Sequence, residues 1–213
     1  MATIPLKPQY GPTLGTLLEP RWRAAPRAVR GLVRAAGVGI VVLAIAAALT
    51  LWPATYSHGG AAPFHFSYRG LYRTTPEPGQ YVRIDRRADG RLEDSFAVSP
   101  LHLPPYAGGL SGELPVYASG YIGGLSRKFS GFVLRGEGKT RVNTVPAYNI
   151  FYTARVEGRE MYGRDVLLLP ERRGVRDGVA LELLTLPSVG VTSPLEVATA
   201  GVLERPVETF TIS

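Results

Sequence analysis

Pro146–Leu169, PAYNIFYTARVEGREMYGRDVLLL, carries the clearest strand pattern of the sequence. Every second residue of its first half is apolar or aromatic: Tyr148, Ile150, Tyr152, Ala154 and Val156. This period of two is typical of a strand with one buried face. Glu157-Gly158-Arg159 predicts a short hairpin connection to a second strand, Glu160–Leu169. The stretch therefore predicts an antiparallel pair of strands.

Further strands are predicted on both sides of this pair. They are Phe64–Tyr68, Gln80–Arg86, Arg91–Val98, Phe132–Thr140, Val179–Leu186 and a closing strand at Val207–Ile212. Asp89-Gly90 marks a hairpin turn, whereas Ser99–Gly112 holds three prolines and three glycines and is predicted to be a loop. Because the connections between strands are too short for crossover helices, we expect most strand pairs to be antiparallel.

One long amphipathic helix is expected between these strands. Its apolar stripe follows helical spacing: Leu114, Tyr117, Ala118, Tyr121, Ile122, Leu125 and Phe129. Ser193-Pro194 is a good cap and first position for a second helix of about two turns. The sequence thus predicts an α+β fold, a mostly antiparallel sheet flanked by one long and one short helix.

A charge-free segment precedes this domain. Ala35–Trp52, AAGVGIVVLAIAAALTLW, would span about 27 Å as a helix, close to the hydrocarbon thickness of a bilayer. Since it has no polar face, a core helix is disfavoured, and we interpret it as a transmembrane helix. The alternative is a cleaved signal peptide, for which Gly60-Ala61-Ala62 offers a cleavage site.

Charge sets the expected topology. The 34 residues before the apolar segment carry six basic residues and one acid, +6 − 1 = +5, against 18 − 16 = +2 for the rest of the chain. Positive flanks stay in the cytoplasm, so we expect the C-terminal part outside. The predicted division is a basic, largely disordered cytoplasmic tail at 1–34, the transmembrane helix at 35–53, a linker at 54–63 and an extracytoplasmic domain at 64–213.

The basic flank is a candidate for contact with membrane lipids. Arg23, Arg27, Arg30 and Arg34 recur at spacings that place them on one face of a helix. Such a stripe attracts anionic headgroups, although the same arginines also serve simply to set topology. Because the basicity of the chain belongs mostly to this flank, we expect no nucleic-acid partner.

The stretch Arg135–Pro146, RGEGKTRVNTVP, contains the Gly-Lys-Thr that closes a nucleotide-binding phosphate loop. Counting back from Gly138, the first glycine of that motif would fall at position 133, which is Val133. Downstream, β-branched and aromatic residues alternate around Pro146, which no helix start would use. We therefore expect no nucleotide binding and assign Gly136, Gly138 and Asn143 to strand ends and turns.

Catalytic and metal-binding patterns are weak in this chain. It has no cysteine, and its three histidines, His58, His65 and His102, lack the spacing of a metal site, so we expect no metal and no cofactor. Ser126 begins a nucleophile-elbow pattern that Lys128 interrupts. An envelope hydrolase that uses Ser126 or Asp165 remains an alternative hypothesis to a non-enzymatic domain.

A shallow aromatic groove is the candidate binding site for a ligand or partner. Its predicted residues are Tyr117, Tyr121, Tyr148, Tyr152, Tyr162, Arg164 and Asp165. Arg164 and Asp165 must lie on opposite faces of their strand, and the one that faces inward requires either a buried ion-pair partner or a ligand. With loops 99–112 and 170–178 as its edges, such a groove would also suit a carrier of a small apolar ligand between helix and sheet.

The order of these elements resembles the PsbP/DcrB-like family of small exported domains, over residues 63–213. The resemblance rests on the turn at Asn143, the stretch 146–169 and the final VETFTI. It implies an antiparallel sheet flanked by helices at an extracytoplasmic membrane face, with no catalytic residues, acting as a binding or assembly factor for an envelope protein partner. The chain departs from lipid-anchored relatives by its apolar helix, and from the family turn by Thr144.

Overall fold

The computed structural model describes residues 26–60, 62–104, 110–170 and 176–212. The chain divides into two compact units, 1–52 and 53–213. The helices are α1 (Arg27–Leu51), α2 (Leu110–Lys128) and α3 (Glu204–Glu208), with 3-10 turns at Pro194–Glu196 and Gly201–Leu203. The strands are β1 (Ala54–His58), β2 (Phe64–Tyr68), β3 (Tyr72–Thr74), β4 (Val82–Ala88), β5 (Arg91–His102), β6 (Ser130–Val142), β7 (Val145–Val156), β8 (Arg159–Leu168), β9 (Asp177–Thr185) and β10 (Thr211–Ile212).

The second unit is α+β and antiparallel, as the sequence predicts, but its strands form two sheets rather than one. A seven-stranded sheet has the order β3-β4-β5-β9-β8-β7-β6, and a three-stranded sheet has the order β1-β2-β10. The central hairpin pairs β7 with β8 from Ala147↔Leu168 to Val156↔Arg159. Its turn residues Glu157 and Gly158 both have positive φ, 50° and 77°, which matches the strand twist and fixes the register.

Two hydrophobic clusters lie on the two faces of the large sheet. One face packs against α2, through residues such as Ala118, Leu125, Ile150 and Met161. The other face packs against the small sheet and the C-terminal segment, where Phe64, Phe66, Phe96 and Phe210 are buried. The large sheet is therefore the middle of three layers, and its central strands β5, β7, β8 and β9 bury residues on both faces.

Two segments that were predicted to be irregular form strands. The expected linker 54–63 contains β1, which pairs with β2 and places Tyr56 against the rings of Phe64 and Phe66. The expected loop 99–112 begins with the last four residues of β5, which pair with β9, and ends within α2. Pro100 fits in β5 because pairing with β4 stops at Val98, so that side needs no donor there.

The C-terminal predictions are corrected in detail. Ser193-Pro194 does cap a helical turn, with a full capping box to Glu196, but the turn is only three residues long. Of the expected closing strand Val207–Ile212, only Thr211–Ile212 is a strand, and it joins β2 in the small sheet rather than the large one. Val207 belongs to α3, where its buried side chain packs in the core.

The Gly-Lys-Thr stretch lies in β6, the outermost strand of the large sheet on its side. Gly136 and Gly138 are inside this strand, not at its ends, and a register shift occurs between Leu134 and Gly136. Asn143 does form the turn, at φ 53°, and its side-chain amide donates to the Phe210 carbonyl at 2.5 Å. A phosphate loop would require a helix where β7 begins.

Helix α1 is longer at its start than the apolar segment. It includes Arg27 and Arg34, so residues 27–34 of the expected disordered tail are helical. Its apolar side chains are largely exposed, with Ile40 at 67% and Leu43 at 70%. Among the described residues it is the one helix, over Arg27–Ala47, that is long and apolar enough to cross a membrane.

Candidate functional site beneath helix α2

The strongest chemical feature of the domain is a pair of carboxylates on neighbouring strands. Asp165 of β8 and Glu182 of β9 are direct register partners and point to the face covered by α2. Asp165 is completely buried, at 0% exposure. A buried carboxylate needs hydrogen-bond donors or a proton, and this site supplies donors from two different elements.

Two tyrosines hold Asp165. The Tyr121 hydroxyl donates from α2 to Asp165 Oδ2 at 2.8 Å, and the Tyr152 hydroxyl donates from β7 to Oδ1 at 3.0 Å. The Tyr152 ring lies over Gly163, its register partner on β8, and a Cβ at position 163 would come within 2.2 Å of that ring. Gly163 is thus the residue that makes room for the Tyr152 side chain.

The surroundings of Asp165 favour its neutral form. Burial is the main cause, and the carboxylate of Glu182 adds to it, so that the pKa of Asp165 rises to about 8 despite the two tyrosine hydrogen bonds and the positive charge of Lys128. Burial and the same carboxylates raise the pKa of Tyr121 and of Tyr152 well above the ordinary value. The cluster therefore gains or loses a proton near neutral pH.

A charged opening lies beside the buried acid. Lys128, at the end of α2, donates to Glu182 Oε2 at 3.2 Å and lies 3.5 Å from Glu77 Oε2, while Gln80 donates to the same Glu182 oxygen at 3.1 Å. Burial opposes the Lys128 charge, but Glu182 and Glu77 outweigh it and raise the lysine pKa. The cavity here, about 60 Å³, has room for only a few waters and is far smaller than typical ligand pockets.

The predicted aromatic groove is divided between the two faces of the sheet. Tyr117, Tyr121, Tyr148, Tyr152 and Asp165 belong to the face of α2. Tyr162 packs on the opposite face, where its hydroxyl donates to the Thr192 carbonyl at 3.1 Å. Strand alternation explains the split, because residue 162 has the opposite parity to 165.

The space expected for an apolar ligand between helix and sheet is filled. Ala118, Leu125, Ile150 and Tyr152 are all buried there. A cavity of about 320 Å³ lies instead beside α2 and is lined by Pro104, Glu113, Val116, Tyr117, Gly120 and Tyr121. Of the two predicted groove edges, residues 105–109 and 171–175 lie outside the described part of the chain.

Arg164 faces away from Asp165, as predicted, and among the described residues neither of the two forms an ion pair. The guanidinium donates to Asn149 Oδ1 through Nε and Nη2, at 3.2 and 3.1 Å, and to the Val197 carbonyl through Nη1 at 3.0 Å. It also lies over the Phe151 ring, 5.5 Å from the ring centroid. Burial lowers the Arg164 pKa.

The candidate hydrolase residues do not form a catalytic set in the described part of the chain. Ser126 donates to the Gly123 carbonyl of its own helix at 3.0 Å. His58 stacks on Phe64, His65 contacts Thr211, and His102 pairs with Asp177 at 2.7 Å. Asp165 is shielded from solvent. Across these described residues no group of three or more His, Asp and Glu side chains is arranged to hold a metal ion.

The basic residues of the flank are only partly described. Arg27 and Arg34 lie in α1 with exposed side chains, and Arg30 lies between them in the same helix. Arg23 lies outside the described residues. Helical spacing places the three described positions on one side of α1.

Three residues of the site were missed at the sequence level: Glu182, Lys128 and Gly163. Glu182 was detectable as the single charged residue in the apolar run VALELLTL. Gly163, a glycine in mid-strand, was a known sign of close approach. Lys128 carries no such signal, since its role depends on where α2 ends over the sheet.

Comparison with solved structures confirms the resemblance in fold. The cyanobacterial PsbP protein CyanoP from Synechocystis sp. PCC 6803 is 12% identical, with a TM-score of 0.50, covering 76% of this chain and 92% of that chain. LpqN of Mycobacterium tuberculosis, described as involved in cell envelope biogenesis, is 11% identical, with a TM-score of 0.51, covering 76% and 91%. No protein-family profile and no curated protein sequence matches. The domain therefore has a PsbP-like fold.

Proposed function

We propose that this chain is a single-pass membrane protein that presents a non-enzymatic binding or assembly domain outside the membrane, where it engages a cell-envelope protein. The observation that carries the proposal is α1, an apolar helix with exposed side chains and arginines in its first two turns. Apolar side chains such as Ile40 and Leu43 need an apolar solvent, and arginines at one end keep that end in the cytoplasm. Lipid headgroups would contact the basic flank.

A binding role fits the domain better than catalysis does. Asp165, the buried acid whose pKa rises to about 8, is enclosed by two tyrosines, and the cavity beside it has no room for an organic substrate. The fold is shared with LpqN, described as involved in cell envelope biogenesis, and we extend an envelope setting to this chain as part of the proposal.

Single-cysteine labelling tests the topology without background, because the chain contains no cysteine. Val189, fully exposed at 102%, reports the domain, and Lys7 reports the N-terminal tail. We expect a membrane-impermeant maleimide to label Val189→Cys in intact cells, and Lys7→Cys only after lysis. Labelling of Lys7→Cys alone in intact cells, or of neither, would overturn the proposed orientation.

The partner is tested with the full chain. Cross-linking in cells through a photoreactive residue at Val116, exposed on α2, is expected to give a discrete adduct with an envelope protein. A photoreactive residue at Leu43 in α1 is the matched control for lipid-facing positions. Adducts with lipid alone at both positions would contradict a protein partner.

A further inference from the structure

Arg164 is an arginine with unused donors. A guanidinium has five N–H groups, and the three hydrogen bonds to Asn149 and Val197 leave 5 − 3 = 2. Both acceptors are neutral, and no ion pair of the described residues includes Arg164. A partly buried cation that cannot lose its proton is therefore left without a counter-charge.

Glu196, an acidic residue close to Arg164 in the chain fold, forms its hydrogen bonds with other groups. Glu196 directly precedes Val197, whose carbonyl accepts from Arg164. Its carboxylate instead accepts from the Thr192 hydroxyl and from the backbone N–H groups of Thr192 and Ser193. The bond from Ser193 is part of the capping box of the turn at Pro194–Glu196, and the three bonds together commit the carboxylate to this turn rather than to the guanidinium.

The sheet surface next to Arg164 is open. Gly138 of β6 is the register partner of Asn149, and a Cβ built at Gly138 would meet nothing within 4 Å. The neighbouring residues Phe151 and Gly136 are half-buried. A Cβ built at Gly136 would lie 3.6 Å from the Leu195 side chain of the C-terminal segment. Gly138 thus leaves its backbone uncovered on the face of the sheet that carries the guanidinium, while Leu195 covers Gly136.

We propose that Arg164, Asn149 and the open backbone at Gly138 form a binding site for a carboxylate group. The two remaining N–H donors, one on Nη1 and one on Nη2, can bind the oxygens of a carboxylate, and the Phe151 ring packs against the guanidinium. The carboxylate comes either from a small organic acid or from an acidic side chain of a partner protein. This inference does not depend on the membrane topology proposed above.

The test follows the Arg164 Nε–Hε and Gly138 amide NMR signals of the full chain in phosphatidylcholine nanodiscs. Acetate, a blocked peptide with a single aspartate, and inorganic phosphate are titrated separately at constant ionic strength. We expect saturable shifts of both signals with acetate and peptide, with Kd on the order of millimolar. If the peptide binds at least tenfold more tightly than acetate, the natural carboxylate comes from a partner protein. If the two bind with equal affinity, it comes from a small organic acid.

Three variants make the result decisive. Arg164→Gln is expected to weaken acetate binding at least tenfold, read at Gly138. Asn149→Asp places an internal carboxylate on the guanidinium and is expected to abolish the response while the fold stays intact. Arg127→Gln, an exposed arginine of α2, is the matched control and should leave binding unchanged. Absence of saturable shifts, shifts that persist in Asn149→Asp, or a response to phosphate alone would overturn the proposal.

Discussion

Adjacent residues of β8 place an acidic and a basic side chain on the two faces of the large sheet, and the two side chains differ in burial and in hydrogen-bond partners. On the α2 face, Asp165 is fully buried between two tyrosine donors. On the opposite face, Arg164 is half-buried between neutral acceptors. The strand separates the two charges, so neither neutralises the other directly.

Only one of these two charges can be removed by a change of protonation. A carboxyl group can take up a proton, and burial together with Glu182 brings the Asp165 pKa to about 8, so the acid is mostly neutral at pH 7. A guanidinium keeps its proton under all ordinary conditions even where burial lowers its pKa. The α2 face is thus internally satisfied, whereas the opposite face retains a positive charge.

The largest expected effect concerns the packing that holds Asp165. Gly163→Ala puts a Cβ within 2.2 Å of the buried Tyr152 ring, which Phe129 and Phe132 enclose from other sides. We expect a loss of about 3 kcal/mol in the free energy of unfolding, by overpacking. Urea denaturation of the full chain in mild detergent measures it. Gly138→Ala, where a Cβ meets open space, is the control and should lose no more than a small fraction of that.

The second effect is on the pH dependence of stability. Because the folded-state pKa of Asp165 lies above its unfolded value, the stabilisation linked to its proton is complete below about pH 4 and is lost as pH rises to about 8. Asp165→Asn removes this dependence, so between pH 5 and 7 the wild type should lose about 1.4 kcal/mol more per pH unit than the variant. Parallel stability curves for the two proteins would show that Asp165 titrates normally.

A smaller effect tests the hydrogen bonds to the acid. Tyr152→Phe keeps the ring over Gly163 but removes one donor to Asp165, and we expect a cost of about 1 to 2 kcal/mol at pH 8, where the carboxylate is partly charged. Denaturation at pH 5 should show a smaller cost, because the neutral acid needs fewer donors. Tyr162→Phe, on the opposite face, is the matched variant and should show no such difference between the two pH values.

The smallest effect concerns the positive face. Asn149→Asp replaces the neutral acceptor of Arg164 by a carboxylate at a site that is only half-buried. We expect a gain of about 1 kcal/mol at pH 7, since the new pair is partly screened by solvent and the new carboxylate is partly desolvated. Because the new carboxylate needs its charge, this gain should disappear below about pH 4. A loss of stability at pH 7 would mean that Arg164 is already compensated.

Much of this fold was readable from alternation and turn residues. The stretch 146–169 predicts β7, its hairpin turn and β8 almost to the residue. Two sequence signals agree there: the alternation of apolar residues and the turn residues Glu157-Gly158, which adopt positive φ in the structure. Segments without that agreement were missed: Ala54–His58 has too few apolar residues to indicate a strand and is defined by its partner β2. Pro100 suggested a loop. It is tolerated in β5 only because the pairing with β4 stops at Val98, two residues earlier, and the local sequence does not show where that pairing stops.

The candidate site was only half predictable. Local parity places Arg164 and Asp165 on opposite faces, and it also places Tyr162 away from Tyr152, which the predicted groove overlooked. The meeting of Asp165 with Tyr121 and Glu182 depends on the packing of α2 and on the order β7-β8-β9, which no local pattern records. Sequence alone thus indicates which charged residues are unfavourable to bury, but not which hydrogen-bond partners compensate for their loss of solvent.

The last strand of the chain has a consequence for how the domain matures. β10 completes the small sheet by pairing with β2, which lies 146 to 148 positions earlier in the sequence, and Phe210 packs in the aromatic cluster beside it. One edge of β2 therefore stays unpaired, and the rings beside it stay uncovered, until residues 210–212 have been synthesised. A nascent chain that stops before residue 210 would keep this strand edge unpaired and these rings exposed. We expect such a chain to aggregate and to be degraded by quality-control proteases.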